Sequence, residues 1–176
     1  MEFQRKNKYT KPIEMVLQAE ISKAKELLNE YDSQISQAEK DDALVLVTSE
    51  GDIELMRLLI EHGANVNGCG IKLRMTPLIV AVNTMVLESI QLLIDYQADI
   101  NLSIRGGVTP LFAAVDSEIE ERNKENLPIA STRISSLLFK NGADPTIPDE
   151  NGRTPLSIAI ERGHTKAVAM FQQHSL

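Results

Sequence analysis

Thr76-Pro77-Leu78 returns as Thr109-Pro110-Leu111 and again as Thr154-Pro155-Leu156, the first two copies 33 residues apart and the next two 45. A second marker keeps step: Gly63-Ala64-Asn65-Val66-Asn67, Gln97-Ala98-Asp99-Ile100-Asn101 and Gly142-Ala143-Asp144-Pro145. Before each of these sits an apolar pair, Leu59-Ile60, Leu93-Ile94 or Leu138-Phe139. Three markers sharing one period define an internal repeat, and a repeat of this length reads as a stacked array.

Each unit has a physical reading of its own. Thr followed by Pro opens a helix, because the hydroxyl can cap free backbone N–H groups and Pro presets φ at the first helical position. The apolar stretch that follows, such as Leu78-Ile79-Val80-Ala81-Val82, predicts about two helical turns. Ala81, Ala113, Ala114 and Ala159 are small enough for close helix approach. A turn comes next, at Gly51-Asp52 or Gly163-His164, and then a second amphipathic helix such as 53–60. Gly63 and Gly142 are placed to end that helix in the left-handed conformation. A helix pair of this size cannot bury a core alone, so the units must stack. The fold class is all-α, a solenoid of helix-turn-helix pairs with projecting loops.

At these residues the chain resembles the ankyrin-repeat family, whose signature is Thr-Pro-Leu-His-x-Ala-Ala at a period of 33. The resemblance divides the chain into a basic N-terminal arm (1–9) and one repeat domain (10–176). Within that domain lie a degenerate first unit (10–38), repeats at 39–71, 72–104 and 105–149, and a capping repeat at 150–174. The degenerate unit rests on Ala24, Leu27 and Leu28, which echo a second helix ending near Tyr31-Asp32. Five stacked pairs are therefore expected. The departures matter. Val45, Ile79, Phe112 and Ser157 stand where the family has His, which shifts inter-repeat stability toward burial. Repeat 39–71 offers Asp42-Ala43-Leu44 for Thr-Pro-Leu. Repeat 72–104 has Met85-Val86 for Gly-His and Arg74 for a loop Gly. About 12 extra residues fall within 117–131. They form either a surface loop or extended helix end, or a partner-contacting projection whose working part is Glu118, Glu120, Glu121 and Glu125.

Composition excludes several classes. Of 176 residues 43% are hydrophobic and 24% charged, so the chain is not disordered throughout. Aromatics are few, with no Trp, as suits small stacked helices. No apolar run approaches the roughly 18 residues of a membrane span, and the first residues lack a signal peptide's apolar stretch. A net charge of −7 repels phosphate backbones, so neither nucleic acid nor membrane is an expected partner. Arg5, Lys6, Lys8 and Lys11 make residues 1–11 locally basic. The lone Cys69 cannot pair within the chain and fits a reducing, cytoplasmic setting.

Chemistry is sparse. His62 precedes Gly63, His164 occupies the Gly-His turn and His174 is in the tail, so no triad is expected. Cys69 with His62 lacks zinc-site spacing, and Gly68-Cys69-Gly70 and Arg105-Gly106-Gly107 follow no strand and so cradle no phosphate. The reading is no catalytic residue, no metal and no cofactor. The resemblance instead implies a protein partner held in a concave groove by loop tips and first-helix ends. Carried over position by position, these are Lys72, Leu73, Met75, Asn83 and Thr84, then Arg105, Val108, Asp116 and Ser117, then Glu150, Arg153, Glu161 and Arg162. Asp41, Ser49 and Glu50 are the weaker equivalents in repeat 39–71. Leu73, Met75 and Val108 either form an apolar docking patch or pack against neighbouring loops. The expected role is a non-enzymatic binding module, monomeric when unbound, acting as a stoichiometric inhibitor or immunity protein. The alternative is an adaptor or effector that recruits a protein without inhibiting it.

Overall fold

The computed structural model describes residues 12–71, 74–125 and 130–173. The expectations for Lys72, Leu73, the basic arm and His174 lie outside these residues. Among the described residues ten α-helices follow one another: α1 (Pro12–Leu17), α2 (Ile21–Tyr31), α3 (Gln37–Glu50), α4 (Ile53–Glu61), α5 (Pro77–Asn83), α6 (Leu87–Asp95), α7 (Pro110–Lys124), α8 (Arg133–Lys140), α9 (Pro155–Glu161) and α10 (Thr165–Gln172). They form the all-α stack of five pairs, with no strand among the described residues. Odd-numbered helices pack in one row, α1 to α3 to α5 to α7 to α9. The even-numbered helices form the outer row.

The Thr-Pro frame sets the helix starts. Thr76, Thr109 and Thr154 each occupy the N-cap, accepting from the N–H of Ile79, Phe112 and Ser157 at 3.4, 3.2 and 3.0 Å. Repeat 39–71 departs from that frame. Its helix α3 starts at Gln37 rather than near Asp42, because Ser36 and Glu39 form a reciprocal capping box ahead of it. Asp42, freed from capping, instead accepts from the N–H of Ile71 at 2.5 Å.

Left-handed residues close the helices. Gly63 (φ +87°) and Gly142 (φ +94°) end α4 and α8 as anticipated. The following Ala64 and Ala143 donate back to Leu59 and Leu138 at 3.0 and 3.1 Å, which explains the Gly-Ala marker. In the unit holding α5 and α6, all three positive-φ positions carry side chains: Arg74 (52°), Met85 (59°) and Gln97 (63°). Each costs energy that Gly would not. Backbone strain is thus concentrated in one unit.

Burial between the rows supplies the core. Leu28, Leu44, Met56, Leu59, Ile90, Leu93, Leu111 and Ile134 are almost wholly excluded from solvent, as are Ala81, Ala114 and Ala159 at the helix contacts. Three of the four residues replacing the family His, namely Val45, Ile79 and Phe112, are buried as well. Polar stitching adds to this. Asn67 Oδ1 accepts from Asp99 N at 2.8 Å and Asn101 Oδ1 from Asp144 N at 2.9 Å, so the last Asn of the first two markers holds the next unit. Within repeat 39–71, Asp41 Oδ1 accepts from Asn65 N at 2.8 Å.

Candidate functional site

The extra residues of 117–131 lengthen α7, which runs to Lys124 while α5 and α9 stop after two turns. This corrects the grouping of its four glutamates. Glu118 is fully buried. It accepts from Ile134 N at 2.9 Å, Ser135 N at 3.1 Å and Ser135 Oγ at 2.7 Å, and its Oε2 lies 3.2 Å from His164 Nε2. Thr132, the residue in N-cap position for α8, makes no side-chain cap, so Glu118 performs that task from a different helix. Glu118 is therefore a structural clamp between α7, α8 and α10. Glu120 and Glu125 are exposed, and Glu121 is half-buried.

Along the odd row, where α5 packs on α7, the surface holds a groove of about 390 Å³. Ile79, Phe112 and Ala113 come from the helices, and Met75, Ile104 and Val108 from the loop tips; Asn83, Asp116, Ser117 and Glu120 close the far end. Five expected contact residues thus meet here: Met75, Asn83, Val108, Asp116 and Ser117. Met75 and Val108 are half-buried, each along one side of the groove. Asn83 Nδ2 reaches Met75 Sδ at 3.7 Å on the α5 side of it.

The remaining expected residues take different places. Arg153 stacks its guanidinium 5.7 Å from the Phe112 ring centre while bonding Asp149 Oδ2 at 2.8 Å, so it flanks the groove already engaged. Arg162 pairs with Asp116. Glu150 accepts from Gly106 N at 3.0 Å, joining two loop tips. Gly107 is required beside it, since a Cβ there would lie 2.8 Å from Asp149 Cα. Thr84, Arg105 and Glu161 are exposed but do not line the groove. In repeat 39–71 Ser49 and Glu50 are exposed, and Asp41 is committed to Asn65.

Electrostatics favour the charged forms at two carboxylates. The hydrogen bond from Lys40, then its charge, holds Asp32 below the usual carboxylate range. At Asp149 burial pushes upward, but bonds from the Arg153 backbone and guanidinium and from Asn151 N outweigh it and hold the group low.

Sequence reasoning missed Ile104 and Ala113 as lining residues, named Glu120 only as part of a projection, and treated Ile79 and Phe112 only as departures from the signature. Their spacing one period apart, on equivalent faces of successive helices, was the available signal. The two described histidines serve the fold. His62 Nδ1 lies 2.8 Å from Leu58 O, and His164 is buried with Nδ1 unpartnered. Among the described residues no group of three metal-ligating side chains converges. No described helix is long and apolar enough to cross a membrane.

Comparison with known proteins agrees with this architecture. Residues 14–104 match the family model described as ankyrin repeats (3 copies), and residues 133–172 match the one described as ankyrin repeats (many copies). The chain is 31% identical to the mouse B-cell lymphoma 3 protein homolog over 68% of this chain and 24% of that protein. It is 32% identical to the chicken nuclear factor NF-kappa-B p105 subunit over 75% of this chain and 13% of that one. With the platypus ankyrin repeat, SAM and basic leucine zipper domain-containing protein 1 it shares 27% identity, over 81% of this chain and 28% of that protein. The chain thus spans well under two thirds of the relatives it matches.

Proposed function

This chain belongs to the ankyrin-repeat family, whose repeats are protein-interaction modules, and on that premise we propose that it docks a protein partner in the groove between α5 and α7. The observation that carries the reading is the groove itself. Met75, Ile104 and Val108, apolar groups on loop tips where water favours polar ones, line a hollow floored by Ile79 and Phe112. Binding is the output in this reading, without bond-making chemistry, and the chain acts as a stoichiometric inhibitor that covers its partner. The net charge of −7 supports a basic target, since opposite charge speeds encounter. The protein is a monomer before binding and works in the cytoplasm, where a single cysteine stays reduced. Its repeats divide at 39–71, 72–104, 105–149 and 150–174, with 10–38 and 150–174 shielding the ends of the stack.

An adaptor role is the second reading. It is favoured by the recurrence of such repeats as minor parts of longer, differently named relatives. Affinity capture from the native host separates the two. An inhibitor recovers one near-stoichiometric protein whose activity falls on binding; an adaptor leaves that activity intact. Val108→Arg and Asn83→Arg should each weaken capture by about tenfold or more, equivalent to ~1.4 kcal/mol. Capture undiminished by both variants, with both still folded, removes the groove from the account.

A further inference from the structure

We infer that the groove takes a partner segment in which a bulky apolar side chain is followed closely by Lys or Arg. This rests on the docking reading above and specifies its chemistry. The apolar part seats on Met75, Ile79, Val108 and Phe112. A second hollow of about 190 Å³ continues from it, sharing Asn83, Ser117 and Glu120, and adds Met85, Glu121, Lys124 and Glu125. It exists because α7 has 15 residues where α5 and α9 have 7. At 1.5 Å per residue the extension is roughly 12 Å long.

Charge in this second hollow is net acidic, three carboxylates against Lys124. Lys124 lies 3.5 Å from Glu120 and answers that carboxylate. Arg162 is spent on Asp116, and Arg122 turns to the carbonyls of Arg162 and Gly163 at 3.4 Å. Among the described residues no cation pairs with Glu121 or Glu125. The C-terminal carbonyls of α7 add the negative end of its dipole at the same place. An apolar floor running into uncompensated carboxylates suits an apolar-then-basic segment, and it repels phosphate or an acidic peptide.

The test is a peptide-display selection of 16-residue random segments against the full chain, followed by fluorescein-labelled copies of the most enriched segment. Expected are segments with Lys or Arg beside a large apolar residue. Their binding should fall about tenfold or more when the segment's Lys and Arg become Gln, and equally in the Glu121→Lys/Glu125→Lys variant. Segments lost on Val108→Arg but indifferent to Glu121→Lys/Glu125→Lys would overturn the assigned chemistry and leave the docking reading standing. No enrichment, or segments indifferent to Val108→Arg too, would remove both. Asn83→Arg, at an exposed position, replaces Val108→Arg should circular dichroism show that variant unfolded.

Discussion

Removing the Glu118 carboxylate is the most informative perturbation of the fold. In Glu118→Ala, the N–H groups of Ile134 and Ser135, the Ser135 hydroxyl and His164 Nε2 all lose their partner in a site closed to water. Bonds to a charged acceptor contribute about 1.5–3 kcal/mol each, and a buried donor left unmade costs about 1–3 kcal/mol. Such terms do not add, and with these buried groups orphaned together a combined loss of about 3–5 kcal/mol follows. That range is the expected loss, a large share of a total stability of about 5–15 kcal/mol. Glu118→Gln keeps one oxygen for the two backbone donors, and its amide can turn to Ser135 or His164. About 1–2 kcal/mol is expected there. Urea unfolding followed by circular dichroism reads both. With a slope of about 1–3 kcal/mol per molar, Glu118→Ala should move the midpoint down by roughly a molar or more. A Glu118→Ala midpoint matching the parent would place this carboxylate in water and undo its role as a clamp.

Other outcomes follow from the same structure. Gln97→Gly relieves a left-handed side chain on an exposed residue and should raise stability by about 0.5–1 kcal/mol in thermal melts; Gly142→Ala should lower it by a similar amount, and equal melts for both would deny the strain. Leu28→Ala, at a position fully buried in α2, should cost about 2–5 kcal/mol, whereas an unchanged melt would reduce the N-terminal helices to a loose appendage. Because the folded pKa values of Asp32 and Asp149 are depressed, their contribution to stability is complete above the ordinary carboxylate value of about 3.9 and is lost as pH falls through the lower folded values. Carboxyl resonances of both residues titrating above about 3.9 would contradict the bonds assigned to them.

The Thr-Pro frame made the starts of α5, α7 and α9 legible to the residue, because capping and the φ of Pro are local effects. Gly63 and Gly142 were legible for the same reason. The early start of α3 was written in Ser36-x-x-Glu39, a pattern overlooked because the repeat frame pointed at Asp42. Glu118 was not legible at all. Its partners lie 16, 17 and 46 residues away, so sequence places it among neighbouring surface acids and only packing withdraws it. The groove was half legible: tip and helix-end positions came from the family frame, while its floor of Ile79 and Phe112 depends on how far two helices stand apart.

The central claim is that a stack of helix pairs offers the α5–α7 groove to another protein. Amide and methyl chemical-shift mapping of the full chain, titrated with its captured partner, tests this most directly. The account predicts shifts clustered at Met75, Ile79, Asn83, Val108, Asp116 and Ser117, with α6 and α8 quiet. Shifts confined to the outer-row cleft lined by Leu87, Gln91, Arg133 and Leu137 would contradict it.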